Sequence, residues 1–394
     1  MSRYHSYINS AKEILGIYRG DEPLSTFLKK YFSANKKYGS KDRKQVAHLC
    51  YCFFRLGKTV MNTSIEEKML TALFLCCHES NETLAALKPE WNEKCELPVN
   101  EKLLIINYSL IIQNVFPWKD ELSEGIDHDE FCQSFFIQPD VFLRVRPGET
   151  ETVIKKLQIA DCRFQIAGHD ALSLPNAVKL ESILEIDKEV VIQDLNSQIA
   201  GELLKAAIRS RWLSGLQSKI HVWDCCAGSG GKSIMAFDMD PKIKLIVSDT
   251  RESILANLKK RFASAGITNY ESFVIDLANK SAIRNLKSEI IIADVPCSGS
   301  GTWSRTPEQL YFFQKRKIEE FSALQKRIVS TAIPQLQPGG SFVYITCSVF
   351  KKENEEVVTF IKENFHLKLK QMEVLKGYDK KADSMFVALF EKEL

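Results

Sequence analysis

Ile290-Ile291-Ile292-Ala293-Asp294-Val295-Pro296-Cys297-Ser298-Gly299-Ser300-Gly301-Thr302-Trp303 sets an apolar run against an acid, a proline, a cysteine and two glycines. A short apolar run closed by turn residues reads as a buried strand. The acid and the Pro-Cys turn at its end put a carboxylate and a thiol at the rim of a sheet. In open α/β sheets that rim is where ligands bind. A second run, Phe342-Val343-Tyr344-Ile345-Thr346-Cys347-Ser348, ends in another cysteine.

Around these two stretches, from Val190 to the last residue, strand and helix patterns alternate. Strands are expected at 219–224, 244–249, 271–275, 289–294, 341–346, 366–373 and 384–391. Helices are expected at about 199–212, 232–239, 251–265, 282–286, 307–336 and 352–364. Such alternation predicts a doubly wound, mainly parallel α/β sheet of Rossmann-like form over residues 190–394.

The first strand of the series runs into Asp224-Cys225-Cys226-Ala227-Gly228-Ser229-Gly230-Gly231-Lys232-Ser233. A glycine-rich turn between strand and helix lets a ligand approach the backbone closely. A P-loop requires glycine where Cys226 stands, and the glycine spacing does not fit a dinucleotide fingerprint. Asp249 ends the second strand, where an acid accepts hydrogen bonds from ribose hydroxyls. Asp276 follows the third, where a carboxylate can meet an adenine amino group, and Asp294 ends the fourth. A glycine loop with acids at three successive strand ends points to an adenosine-bearing ligand. The helix start near Lys232 favours a carboxylate on that ligand.

Residues 1–130 show apolar spacings of three and four, as in Ile8, Ala11, Ile14 and Leu15, and few strand signals, so an all-helical domain is expected. Ser40 is a candidate N-cap. Lys29–Tyr38 interleaves lysines with aromatics, either as a grip on an RNA backbone or as a solvated helix end. Residues 131–189 change character. Val141–Gly148 alternates apolar residues with Arg144 and Arg146 before a Pro-Gly stop, which reads as a half-buried strand. A helix at 153–157 and strands at 162–166 and 177–180 complete a small α/β module. Arg144 and Arg146 are candidates for phosphate contact or plain surface arginines.

The bulk properties fit this outline. The 394 residues allow two or three domains at roughly 100–200 residues each. A net charge of +3 does not by itself argue for nucleic acid, so basic surface must be local. The 11 cysteines form no Cys-x-x-Cys pair, and most lie in apolar runs, so neither zinc nor a secreted disulfide scaffold is expected. The amino terminus lacks an apolar signal region, and no apolar run approaches the roughly 20 residues of a membrane helix. A cytoplasmic protein with no membrane anchor and no metal is expected, and no obligatory protein partner is evident.

Taken together, these segments resemble the S-adenosylmethionine-dependent RNA cytosine-C5 methyltransferases of the Sun/Fmu (NOL/NOP/Sun) group, including the bacterial RsmB type. The likeness is densest from 190 to 394. The family's cofactor loop, C-A-A-P-G-G-K, appears as Cys226-Ala227-Gly228-Ser229-Gly230-Gly231-Lys232, with Gly-Ser in place of Ala-Pro. Its Asp-x-Pro-Cys-Ser-Gly block is Asp294–Gly299, and its Thr-Cys-Ser block is Thr346-Cys347-Ser348, followed by Glu353-Asn354-Glu355. Gln193-Asp194, Ser197-Gln198 and Asp383–Phe386 also look like family signatures. The amino-terminal helices resemble, more diffusely, the NusB-like RNA-binding domain of bacterial members.

The resemblance implies S-adenosyl-L-methionine as cofactor, held by Cys226–Lys232, Asp249, Asp276 and Asp294. It implies RNA as partner, with ribosomal RNA ahead of transfer RNA. Cytosine C5 becomes nucleophilic once a thiolate has added to C6, which is covalent catalysis. Spacing does not decide which cysteine attacks. By resemblance it is Cys347, with Cys297 assisting release; DNA cytosine methyltransferases use a Pro-Cys cysteine, which makes Cys297 the rival. Asp294 is expected at the cytosine amino edge or N3, or else as a turn-capping acid, and Lys232 at the base or capping the loop. Arg305 and Pro307 either hold RNA near the site or anchor their loop. A catalytically silent RNA-binding assembly factor is the alternative from another class. Methylation of an exocyclic amine is disfavoured because Cys297 follows Pro296.

Overall fold

The computed structural model describes residues 3–106, 111–176, 178–213, 220–279 and 285–394. Two compact units divide the chain: Met1–Leu122, Asp127–Gln138 and Thr302–Lys315 in one; Ser123–Ile126, Pro139–Gly301 and Arg316–Leu394 in the other.

The first unit is helical. Its longer helices are Arg3–Ile17, Leu24–Ala34, Ser40–Arg55 and Ile65–Cys76. The third is capped by Gly39 and not by Ser40, its first residue: the Asp42 carboxylate accepts the Gly39 N–H at 2.9 Å and closes the first turn. Thr302–Lys315 carries the helix Pro307–Phe312 into this unit, with Pro307 buried at the helix start. Arg55, buried, donates to the Phe135, Ile137 and Ser304 carbonyls and to the Gln138 side chain. The Lys29–Tyr38 segment is not a stacking platform. Tyr31, Phe32 and Tyr38 are buried, Tyr31 donates to Glu13 at 2.9 Å, and Lys30 pairs with Glu22. The aromatics serve the core and the lysines stay outside.

The second unit holds two sheets. The smaller is antiparallel, in the order β2-β3-β1-β4, with β1 Val141–Val145, β2 Gln165–Ile166, β3 Ala171–Leu174 and β4 Val190–Ile192. Val153 and Leu157 of the helix Thr150–Ile159 pack against Leu143 and Val145. The expected strand at 162–166 shrinks to β2. The expected strand at 177–180 is absent as such: Ala177 lies outside the described residues and Leu180–Ser182 is a single 3-10 turn. Arg144 and Arg146 are neither surface arginines nor free for phosphate. Both bind Asp238, at 2.6 and 2.7 Å, and their side chains are 8% and 11% exposed.

The larger sheet runs β10-β11-β9-β8-β5-β6-β7. Its strands are β5 His221–Asp224, β6 Lys244–Asp249, β7 Tyr270–Val274, β8 Ser288–Asp294, β9 Leu336–Thr346, β10 Leu367–Leu375 and β11 Met385–Lys392. The first five are parallel where they pair; β11 is antiparallel to β9 and β10. Ile290, Ile291, Ile292 and Ala293 are all fully buried, as a strand covered on both faces requires. Two clusters fill the two faces, one around Ile290 and Ile292, the other around Ile291 and Ala293. This is the doubly wound Rossmann-like fold. The anticipated helix at 307–336 is broken, into Pro307–Phe312 and Arg316–Ala332. Residue 219 of the first expected strand and 282–284 of one expected helix lie outside the described residues.

In chain order the sheet grows from β5 to β6 and β7 on one side, then restarts at β8 on the other. The crevice beyond the carboxyl ends of β5 and β8 is therefore the topological switch point, where such sheets bind ligands.

Candidate active site

The parallel pairing of β8 with β9 sets Asp294 opposite Ile345, and the Val295 N–H bonds the Ile345 carbonyl at 3.1 Å. The loops that follow these strands therefore leave the sheet side by side. Cys297 and Cys347, one on each loop, bring their sulfurs to 3.3 Å. The contact with Cys347, together with desolvation, pushes the Cys297 thiol well above its ordinary value.

A closed polar network underlies the pair. Each cysteine is followed by a serine, and both serines bond Glu353. The Ser298 N–H donates to Glu353 Oε2 at 2.7 Å, and the Ser348 hydroxyl to Glu353 Oε1 at 3.0 Å. Ser300 Oγ lies 3.1 Å from Ser298 Oγ and 3.2 Å from Ser348 Oγ. Gln325 Nε2 reaches the Pro296 carbonyl at 3.1 Å and Glu353 Oε2 at 3.3 Å. Asn354 accepts from the Thr346 hydroxyl at 2.6 Å and donates to the Ser348 carbonyl at 2.9 Å. Burial raises the Glu353 carboxyl above its usual range, against the bonds it accepts. Gly301 locks the other side: its N–H donates to the Cys347 carbonyl and its carbonyl accepts from the Ser384 N–H, each at 2.9 Å.

At the end of β8, Asp294 meets Lys232 at 3.3 Å, and Lys232 also donates to Ser197 Oγ at 2.5 Å. Asp294 is the more open of the two, with its side chain 32% exposed against 7% for the lysine. Lys232 opens the helix Gly231–Met239, and the glycine loop precedes it. Gly228 and Gly230 have φ of 51° and 87°, the left-handed region that glycine occupies without strain. A Cβ on Gly230 would strike Phe262 at 2.8 Å, whereas one on Gly228 meets nothing within 4 Å. The loop thus packs on its inner side and stays open on the other.

Its acids divide in role. Asp249 accepts the Gly228 N–H at 3.0 Å and the Arg251 N–H at 2.9 Å, bracing the loop. Ser229 is held by Arg261, which in turn pairs with Asp187 at 2.7 Å. Ala227 is buried, and its N–H reaches the Ser248 carbonyl at 2.9 Å. Cys226 is half-buried beside it. Asp276, beyond β7, accepts the Ala278 N–H at 2.9 Å. Asp224 ends β5 fully enclosed, with Oδ2 bonded by Ser233 at 2.6 Å and Oδ1 without a partner. Burial, with Asp294 and Asp249 near enough to add to it, pushes this carboxyl up to about 7.

The structure therefore brings together Cys297 with Cys347, Lys232 with Asp294, and the glycine loop with Asp249. Arg305 and Pro307 belong to the helical unit. Sequence reasoning quoted Ser298, Ser300, Ser348, Glu353 and Asn354 within its key stretches but gave them no role, and missed Gln325. The repeated Cys-Ser pair, with an acid shortly after the second, was the available signal.

A doubly wound sheet with a glycine loop at its switch point and acids at successive strand ends defines a Rossmann-like methyltransferase core. Residues 212–390 match the model of the 16S rRNA methyltransferase RsmB/F family. The ribosomal RNA small subunit methyltransferase B of Proteus mirabilis is 26% identical over 191 residues, 47% of this chain and 43% of that protein. The chain thus spans less than half the length of that relative. The crystal structure of PH0851 shares the fold across 99% of this chain and 98% of its own, with a TM-score of 0.66 and 18% identity. A methyltransferase homologue from Pyrococcus horikoshii does so across 74% and 98%, with a TM-score of 0.55 and 20% identity. No described helix is long and apolar enough to cross a membrane.

Proposed function

We propose that this chain is a cytoplasmic RNA cytosine-C5 methyltransferase that acts on small-subunit ribosomal RNA through a covalent cysteine–C6 adduct. The observation that carries the reading is the pair of strand-end thiols 3.3 Å apart, next to the β8 end where Asp294 meets Lys232.

The residues fit S-adenosyl-L-methionine. The open side of Gly228, the buried unpartnered oxygen of Asp224, and Asp249 and Asp276 at the ends of β6 and β7 suit a ligand with polar groups at both ends. Cys226–Lys232, Asp249, Asp276 and Asp294 would hold it. When bound, it supplies an electrophilic methyl group.

The protein's own part follows from the two loops. Cys297, held protonated, lies in hydrogen-bond contact with Cys347, and by resemblance Cys347, once its proton has passed to solvent, is the attacking group. Cys347 adds to C6 of a cytosine that has left its stack. The electron density released at C5 makes that carbon the nucleophile. Asp294, steadied by Lys232, accepts from the cytosine amino group. Solvent takes the C5 proton, the electron pair left behind expels Cys347 as a thiolate, and Cys297 gives that thiolate a proton. The helical unit is assigned RNA binding on its resemblance to the NusB-like domain, and the small antiparallel sheet is assigned it as a separate module, through residues other than the buried Tyr31, Phe32, Arg144 and Arg146.

Bisulfite sequencing of total RNA from cells with and without the gene tests the proposal. A cytosine in small-subunit ribosomal RNA that loses its methylation supports it. A change confined to transfer RNA moves the substrate, and no change anywhere defeats the enzymatic reading in favour of a silent RNA-binding factor.

A further inference from the structure

We infer that Glu353 is a positioning residue whose carboxylate fixes the releasing thiol of Cys297 against the attacking thiol of Cys347. The inference rests on the cysteine roles proposed above, but its geometry does not.

One carboxylate bonds the residue that follows each cysteine: the Ser298 N–H through Oε2 and the Ser348 hydroxyl through Oε1. Gln325 ties the same carboxylate to the Pro296 carbonyl, so Cys297 is held from both flanks. Tyr344, in the middle of the β9 wall, donates to the Glu353 carbonyl at 2.6 Å and pins the backbone below the side chain. Glu353, Gln325 and Ser300 are wholly buried, and Ser348 nearly so. A group so enclosed touches no substrate. Its work is to set, together with the Gly301–Cys347 backbone bond, the relative position of the two loops beyond the paired ends of β8 and β9.

A carboxylate suits this task because it accepts on both oxygens at once, and Ser298 and Ser348 each present a donor. Glutamine keeps the shape but turns one acceptor into a donor facing another donor. Buried, that mismatch drives the loops apart. Displacement of a reacting group by about 1 Å is enough to cost a factor near 100. The step affected is the one that needs both thiols, expulsion of Cys347, and not its addition to C6.

The test uses the full chain as Glu353→Gln and, should that variant fold poorly, Ser348→Ala, with circular dichroism as the check on folding. Two readouts are taken. In the first, total RNA from cells lacking the gene is incubated with enzyme and methyl-labelled S-adenosyl-L-methionine, and protein–RNA adduct is compared with released methylated RNA. The expected result is an adduct-to-product ratio raised about tenfold or more over wild type, as for Cys297→Ala. A proportional fall of adduct and product overturns the inference. In the second, the free protein is treated with diamide, which takes up the two electrons and two protons given by Cys297 and Cys347 as they join. The expected result is a Cys297–Cys347 disulfide that forms about tenfold more slowly in the variants, scored by peptide mass spectrometry. An unchanged rate overturns the inference. If wild type and Cys297→Ala give neither adduct nor product, the functional reading fails, and the diamide result alone decides the role of Glu353.

Discussion

The sulfurs of Cys297 and Cys347 lie 3.3 Å apart, although each leaves the sheet on its own strand. The approach comes from the pairing of β8 with β9 and from Gly301, which bonds the Cys347 carbonyl and Ser384 together. Two thiols held in contact are placed to take different parts in one reaction.

The division of labour is open to a trapping experiment. Cys297→Ala is expected to accumulate a covalent RNA adduct on denaturing gels, because Cys347 attacks and is not released. Cys347→Ala is expected to give none. The opposite pattern would make Cys297 the nucleophile.

Gly301→Ala tests the junction of the loops. A Cβ there would sit 1.9 Å from the Ser384 carbonyl oxygen and 3.1 Å from that of Cys347, both backbone atoms. Relief requires a shift of main chain, so a loss of about 1–3 kcal/mol in urea denaturation is expected, together with loss of methyl transfer. An unchanged midpoint would show that the junction yields freely.

Asp224 makes stability depend on pH. Its carboxyl holds a proton more tightly in the folded chain, with a pKa raised from 3.8 to about 7, chiefly by burial. Such a group favours the fold at low pH, and its contribution is lost as pH rises from near 3.8 through about 7. Asp224→Asn has no such proton to lose. The variant should therefore gain stability relative to wild type across that interval, and level off above it. Parallel denaturation midpoints at every pH would contradict this.

Asp238→Ala, in the helix Gly231–Met239, should strongly destabilise the small antiparallel sheet that its arginine partners belong to. It leaves the Arg144 and Arg146 guanidiniums enclosed without their anion. Removing one partner of a buried pair costs about 3–5 kcal/mol. Thermal unfolding would report it, and a loss below about 1 kcal/mol would mean that the arginines reach water in the variant.

Legibility in the sequence followed the range over which each feature is determined. β8 and β9 are readable because their continuous apolar runs are closed by turn residues, and the acids and cysteines at their ends are fixed by position. β3 escaped notice because all four of its residues are buried, so no alternation marks it. Arg144 and Arg146 look solvent-facing in a local pattern, and nothing near them reveals Asp238, which comes from the helix after the glycine loop. Glu353 has the same character: its partners come from three separate segments, and only the folded sheet assembles them. Ionic and hydrogen-bonded roles set by distant partners are the part that local pattern cannot express.

Trp303 is fully buried in the helical unit, its ring 4.7 Å from Phe313 and 6.1 Å from Trp118. Yet Trp303 and Phe313 follow Gly301 in the chain, while Trp118 precedes the whole of 139–301. On the ribosome, the first unit to emerge is therefore the one that waits. Its aromatic centre closes only after the next unit's cysteine loop has been synthesised, which reverses the usual order of completion from the amino terminus.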